Sequence, residues 1–265
     1  MASINYAYVN GRFVPEDRAA ISIFDRGFLY GDGCFETMRV YGGRVFRALE
    51  HFDRLFEGLQ ALGIESPFSP EELRAICRAL IRYNNVADGV ARVHLTRDSI
   101  VATVKAREFA PRELRAIVSG VRIDPQLSRF KTANRLPYIL AQHEAEHAGV
   151  DDAVLMNAAG KVVEFTASNL FVIKDGALLT PPLEDGPLPG ITRHTVLALA
   201  AEQGIRVQEK SFGPQFLDTA DEVFATNSLI EIAPITTWSH QHDATRCLQA
   251  AYRELVAQEI STPGP

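Results

Sequence analysis

Tight-turn signals set between short apolar runs constrain this chain most. Asn10-Gly11 separates Tyr6-Ala7-Tyr8-Val9 from Arg12-Phe13-Val14, and both turn residues tolerate the positive φ that a tight hairpin demands. Gly42-Gly43 does the same between Phe35–Tyr41 and Arg44–Arg47. Ala158-Ala159-Gly160 and Asp175-Gly176 repeat the device in the second half. Between these hairpins the apolar period changes. Phe52, Leu55, Phe56, Leu59 and Leu62 recur at helical spacing, with Gly63 where a C-cap belongs. Ser69-Pro70-Glu71-Glu72 carries an N-cap serine, a proline at N1 and a glutamate at N3, ahead of Leu73, Ile76 and Leu80. Ala91–Thr96 and Leu114–Val121 read as strands. In the second half helices are predicted over Pro137–Ala148, Thr192–Gln203 and Ala244–Gln258, and strands near Ile205–Glu209 and Glu222–Thr226. The expected class is α+β in two subdomains, 1–120 and 131–265, joined by a linker over 121–130 that carries Pro125 and few apolar positions.

Composition narrows the function. A hydrophobic share of 46% with mixed charge suits a globular enzyme and excludes disorder. A net charge of -6 opposes a nucleic-acid partner, because phosphate-backbone binding needs an excess of Lys and Arg. No apolar run reaches the roughly 18 residues of a membrane helix, and the opening MASINYAYVNGRF lacks a secretory leader's basic and apolar regions. Three scattered cysteines make no disulfide framework, so a cytoplasmic location is expected. His143 with His147, and His240 with His242, lack the further ligands of a metal shell, so no metal is expected.

Lysine is scarce: Lys105, Lys131, Lys161, Lys174 and Lys210 stand against 22 arginines. Lys131 follows the expected linker, where it can enter a cleft between subdomains and act as an amine nucleophile; alone, it reads as a surface lysine. Glu164 ends the apolar run Lys161–Phe165 ahead of Thr166-Ala167-Ser168-Asn169, and is either a ligand for a buried heteroatom or a strand-end surface acid. Gly190-Ile191-Thr192-Arg193 opens a helix and Thr226-Asn227-Ser228 ends a strand. Either can hold an anion, and either is also a common cap or turn. Arg54 lies beside an apolar helix stripe, as snorkelling arginines do.

The order of these blocks resembles the class IV, pyridoxal-phosphate-dependent aminotransferases of fold type IV. That group includes branched-chain and D-amino acid aminotransferases, some (R)-selective amine transaminases and 4-amino-4-deoxychorismate lyase. The resemblance runs through Asp25–Gly27, Tyr30–Thr37, His51–Leu55, Lys131–Leu136, Glu164–Phe171, Leu188–Arg193 and Asp221–Pro234. It implies that Lys131 forms the internal aldimine with pyridoxal 5'-phosphate and shuttles the substrate proton. It implies that Glu164 pairs with the pyridine nitrogen, that Leu188 packs on the ring, and that Arg54, Ile191, Thr192 and Ser228, with Asn227 alongside, hold the phosphate. The implied activity is ping-pong transfer of an amino group from an amino acid or amine to a keto acid, in a homodimer. Phe24, Phe28, Leu29 and Tyr30 serve either that interface or the core. Phe35, Arg39 and Arg97 are the expected substrate contacts, with Arg107 a further candidate for a carboxylate.

Thr37, followed by Met38-Arg39, instead looks like the lyase, where the threonine moves a proton as pyruvate departs. Val93–Ile100 lacks both the lyase's usual glycine- and arginine-rich stretch and the Arg-x-His carboxylate trap of D-amino acid enzymes. Transamination is therefore the expected reaction, the lyase its alternative. A non-catalytic PLP-binding protein is more remote, because both Lys131 and Glu164 are present.

Overall fold

The computed structural model describes residues 5–261. Residues 1–4 and 262–265, which include part of the stretch read for a leader and the outer ends of the expected subdomains, lie outside the described residues. By internal contacts the chain forms two units. The first takes residues up to Phe109, Phe130–Asn134 and residues from Glu259 on; the second takes Ala110–Arg129 and Arg135–Gln258.

The first unit runs β1 (Tyr6–Val9), β2 (Arg12–Pro15), α1 (Arg26–Tyr30), β3 (Gly33–Tyr41), β4 (Arg44–Val45), α2 (Ala48–Ala61), α3 (Pro70–Tyr83), β5 (Gly89–Thr96) and β6 (Ile100–Ala106). Its sheet has the order β2-β1-β6-β5-β3-β4 with every pairing antiparallel. The expected capping box of α3 forms: Ser69 Oγ accepts from Glu72 N, and Glu72 Oε2 accepts from Ser69 N. Alternation along the strands decides what each face does. Cys34, Met38 and Val40 of β3, and Ala91, Val93 and Leu95 of β5, join Phe52, Leu55 and Leu59 of α2 and Leu73, Cys77 and Leu80 of α3 in one buried cluster. Each large aliphatic or aromatic side chain taken from water there contributes about 1.5–3 kcal/mol. Phe35, Thr37 and Arg39, and Arg92 and His94, fall at the alternate positions and therefore on the other face.

The second unit runs β7 (Ala116–Arg122), α4 (Pro125–Ser128), α5 (Leu136–His147), β8 (Asp152–Met156), β9 (Val162–Phe165), β10 (Asn169–Lys174), β11 (Ala177–Thr180), α6 (Ile191–Glu202), β12 (Arg206–Glu209), β13 (Glu222–Asn227), β14 (Glu231–Pro234) and α7 (Asp243–Ser261). Its sheet is ordered β12-β11-β10-β9-β8-β7, and β13 pairs with both β10 and β14. Strands β8 to β11 are buried on nearly every residue, so they read as continuous apolar runs rather than alternating ones. Among the described residues no helix is long and apolar enough to cross a membrane.

The expected boundaries shift. The expected linker is ordered structure of the second unit: β7 reaches Arg122, α4 follows, and Ser128 Oγ donates to Gly186 O at 2.6 Å. Lys131, placed by the sequence reading in the second subdomain, belongs by its contacts to the first unit. The reason is backbone pairing across the β3 edge: Phe35 N donates to Lys131 O, Ala133 N donates to Gly33 O, and Cys34 bridges Thr132.

Candidate active site

In the first unit the outer end of β3 presents Phe35, and Lys131 Nζ stands 4.7 Å from that ring's centroid. His94, the cross-strand partner of Phe35, stacks on the same ring at 5.0 Å and 10°. Burial first, and then the neighbouring Arg92 and Lys131, push His94 down to about 4, so it is neutral at pH 7. Thr37 follows on the same face, opposite Arg92.

Arg54 is held from the other face of β3. Glu36 points into the core, where it is fully buried, and accepts from Arg54 Nε at 2.8 Å, Arg54 Nη2 at 2.7 Å and His51 Nδ1 at 2.7 Å. His51 and Arg54 lie three residues apart on one face of α2, which lets both reach a single carboxylate. Burial alone would raise Glu36, but the charge of Arg54 and the contact with His51 overcome it and bring it to about 2. Burial pushes His51 below its ordinary range, so its Nδ1–H is the donor and Arg54 the cation.

The other expected arginines are engaged elsewhere. Arg97 donates to Leu62 O and Gly63 O, the carbonyls that close α2, and meets Asp32 at 3.4 Å. Arg39 lies 3.3 Å from the Phe109 ring centroid and 4.6 Å from that of Tyr41, and Arg107 is beside Phe109 as well.

The second unit supplies the acid. Glu164, near the end of β9, is buried at 4% exposure. Its Oε1 accepts from Tyr138 OH at 3.3 Å, and its Oε2 from Leu188 N at 3.0 Å and Asn169 Nδ2 at 3.2 Å. Asn169 Nδ2 also donates to Leu188 O at 2.8 Å, so one amide fixes both Glu164 and the Leu188 backbone. Gly190 makes this possible: a Cβ there would run into Asn169 Oδ1. Burial, and then Glu164, raise Tyr138 well above the ordinary tyrosine range, so its hydroxyl keeps its proton and donates.

Helix α6 starts at Ile191 and Thr192 with Gly190 as N-cap, and no side chain caps it. Its first amides and the helix dipole suit an anion. The loop after β13 carries Ser228. Asn227, expected alongside the phosphate, organises that loop: Nδ2 donates to Ala167 O and Ser168 Oγ, and Oδ1 accepts from Leu229 N and Ile230 N. Thr226 Oγ1 is buried with no hydrogen-bond partner among the described residues.

Taken unit by unit, the groups are of the kinds that pyridoxal 5'-phosphate requires: a primary amine and a guanidinium in the first unit, a preorganised buried carboxylate and a helix N-terminus in the second. No cluster of three or more His, Cys, Asp or Glu able to hold a metal occurs among the described residues. Glu36, His51, Tyr138, Asn169, Arg92 and His94 were not among the expected site residues. A partial signal existed for Glu36, an acid on the apolar face of a strand, which requires partners.

The family profile described as Amino-transferase class IV matches residues 33–238. Over 247 residues the chain is 38% identical to a protein provisionally named a branched-chain-amino-acid aminotransferase in Methanocaldococcus jannaschii, with 86% of each chain covered. It is 36% identical over 248 residues to a D-alanine aminotransferase of Listeria monocytogenes, again covering 86% of each. The solved branched-chain aminotransferase of Thermoproteus uzoniensis with norvaline superposes with a TM-score of 0.89 and 30% identity, over 96% of this chain and 95% of the other. The chain belongs to the class IV aminotransferases, enzymes that use pyridoxal phosphate.

Proposed function

We propose that the chain moves an amino group from an amino acid or amine to a keto acid in two half-reactions, the first product leaving before the acceptor binds. The observation that carries this reading is the buried Glu164 carboxylate with its three fixed donors. Lys131, Arg54, Glu164, Leu188, Ile191, Thr192 and Ser228 hold pyridoxal phosphate in this proposal. The cofactor, when bound, supplies the electron sink that lets the C–H bond beside the substrate amine break. Lys131 Nζ takes that proton and returns it to the cofactor side. Glu164 keeps a proton on the pyridine nitrogen, and Tyr138, Asn169 and the Leu188 amide keep the carboxylate aimed. Arg54, oriented by Glu36, and the first amides of α6 take the phosphate charge.

Two copies assemble in the same reading. Its support is the exposed apolar stretch of Ile23, Phe24, Phe28 and Tyr30, exposed by 67–77% in the single chain. Light scattering on the purified protein decides it. A cytoplasmic location also remains part of the proposal, consistent with the free thiols of Cys34, Cys77 and Cys247.

The deciding experiment mixes the purified holoenzyme in turn with L-leucine, L-glutamate, D-alanine, D-glutamate and (R)-1-phenylethylamine and follows its absorption. Loss of the long-wavelength band to the shorter-wavelength amine form of the cofactor is expected for the true donors. Lys131→Ala is expected to lose that band and to slow turnover by at least about 10^3-fold. An intact band that no donor moves would overturn transamination. Pyruvate release from aminodeoxychorismate would then support the lyase reading, which rests on the Thr37 hydroxyl sharing the Lys131 face.

A further inference from the structure

Helix α6 breaks an electrostatic rule at its start. Its N-cap is Gly190, no side chain accepts from its first amides, and its first turn holds no acid. The third helical residue is instead Arg193, buried at 5% exposure. The positive end of the helix dipole lies there, so a cation in the first turn is disfavoured and an anion is favoured. Helical side chains also lean toward the helix N-terminus. Arg193 does so: its Cβ stands 3.2 Å from the point that a Cβ on Gly190 would occupy, so its stem packs against the N-cap.

The guanidinium is only partly compensated. Its Nη2 donates to Pro181 O at 3.0 Å and to Glu209 Oε2 at 2.5 Å, while its Nε is buried with no hydrogen-bond partner among the described residues. Glu209 lies opposite Thr180 in the pairing of β11 with β12, which keeps its carboxylate close to Pro181. That carboxylate is half-exposed, so water weakens the charge it sets against Arg193. A buried cation with a screened counter-charge is costly to keep unless a further anion arrives. In this unit the uncapped amides of α6 are the place suited to receive one.

We propose that Arg193 strengthens phosphate binding at the start of α6 without touching the phosphate, and that Glu209 sets how much of its charge is left to do so. Arg193 is thus a positioning residue, acting on the anion through the field it adds to the first-turn amides. A pair that merely tied α6 to the sheet would loosen the site when either partner was lost. A pair that trims charge behaves with opposite signs: losing the cation weakens the anion, and losing the acid tightens it. The inference rests on the phosphate reading of α6 above and deepens it.

The test uses the full chain stripped of cofactor, as native protein, Glu209→Gln, Arg193→Met, their double variant and Thr192→Asp, with far-UV circular dichroism as a check on the fold. Each is titrated by absorption with pyridoxal 5'-phosphate and with pyridoxal, which lacks the phosphate. Inorganic phosphate is then used to compete with pyridoxal 5'-phosphate. Glu209→Gln is expected to tighten pyridoxal 5'-phosphate and inorganic phosphate by about 3- to 10-fold while leaving pyridoxal within about 2-fold. Arg193→Met is expected to weaken both phosphates by at least about 10-fold, again with little change for pyridoxal. The double variant should match Arg193→Met, because Glu209 acts only through that charge. Unchanged or weaker phosphate binding in Glu209→Gln would overturn the inference, as would equal losses of pyridoxal 5'-phosphate and pyridoxal in a folded Arg193→Met. If Arg193→Met does not fold, the half-exposed Glu209→Gln decides alone. Thr192→Asp sets an acid among the first amides and is expected to abolish the preference for pyridoxal 5'-phosphate over pyridoxal. An indifferent Thr192→Asp would sink the phosphate reading of α6 itself; a Thr192→Asp that repels phosphate, beside an indifferent Glu209→Gln, sinks only this inference.

Discussion

Glu36→Gln preserves the shape of a wholly buried side chain and removes its charge. The native carboxylate accepts three short bonds, two from Arg54 and one from His51. With its pKa at about 2 against an ordinary 4.5, the folded protein favours the ionised form by about 3 kcal/mol, at about 1.4 kcal/mol per pH unit. An independent route gives a similar figure: removing one partner of a buried ion pair costs about 3–5 kcal/mol, because the other charge is left uncompensated. Glutamine still offers one acceptor, but its NH2 group must face a guanidinium or an imidazole N–H. The expected loss in cofactor-free protein at pH 7 is therefore about 3–4 kcal/mol, read by urea unfolding with far-UV circular dichroism. The single tryptophan, Trp238, packs in the second unit and reports that unit separately. A second variant fixes the sign of the argument. Adding Arg54→Met removes the orphaned cation, so the double variant should be more stable than Glu36→Gln alone. A single-variant loss below about 1 kcal/mol, or a double variant worse than both single losses together, would refute the reasoning.

Two further outcomes follow from the geometry. Gly190→Ala should displace Asn169, loosen both Glu164 and Leu188, and cost about 1–3 kcal/mol; unchanged melting and unchanged cofactor retention on dialysis would count against the Asn169 role. Stability should fall as pH drops below about 6.5, because the unfolded chain takes up protons there that buried His51 and half-buried His94 refuse; His94 does so down to about 4, and Glu36 adds its share from 4.5 toward about 2. His94→Gln should flatten the first part of that decline by up to about 1.4 kcal/mol per pH unit, and a native profile level from pH 7 to 5 would contradict the burial argument.

The local signals carried well from sequence to structure. Asn10-Gly11, Gly42-Gly43 and Asp175-Gly176 turn hairpins as expected, Ser69 caps its helix, and Gly63 takes a positive φ of 61° just past α2. What sequence could not carry was pairing at a distance. A linear boundary at 131 misses that 130–134 lies along β3, because backbone pairing leaves no mark on side-chain pattern. Arg92 and His94 sit at the polar positions of an alternating strand, which reads as a solvent face; only the neighbouring Lys131 and Phe35 give that face chemistry. Arg97 shows partners that residue type alone does not reveal. It has the residue type for a carboxylate, yet the carbonyls of Leu62 and Gly63 engage it.

The segment that carries Lys131 also sets an order of events during synthesis. The first unit is assembled from three separated stretches, the last reaching α7, where Arg47 meets Glu259 and Arg44 donates to Ile260 O. A ribosome that has released only the first 109 residues therefore exposes a β3 edge still waiting for its Phe130–Asn134 neighbour. That edge is covered only after 134 has emerged, and the unit is finished only when 261 has. Until 134 has emerged, that edge of the nascent chain is open to wrong pairings. Lys131 therefore reaches its place beside Phe35 late, and a product truncated before 131 lacks it altogether.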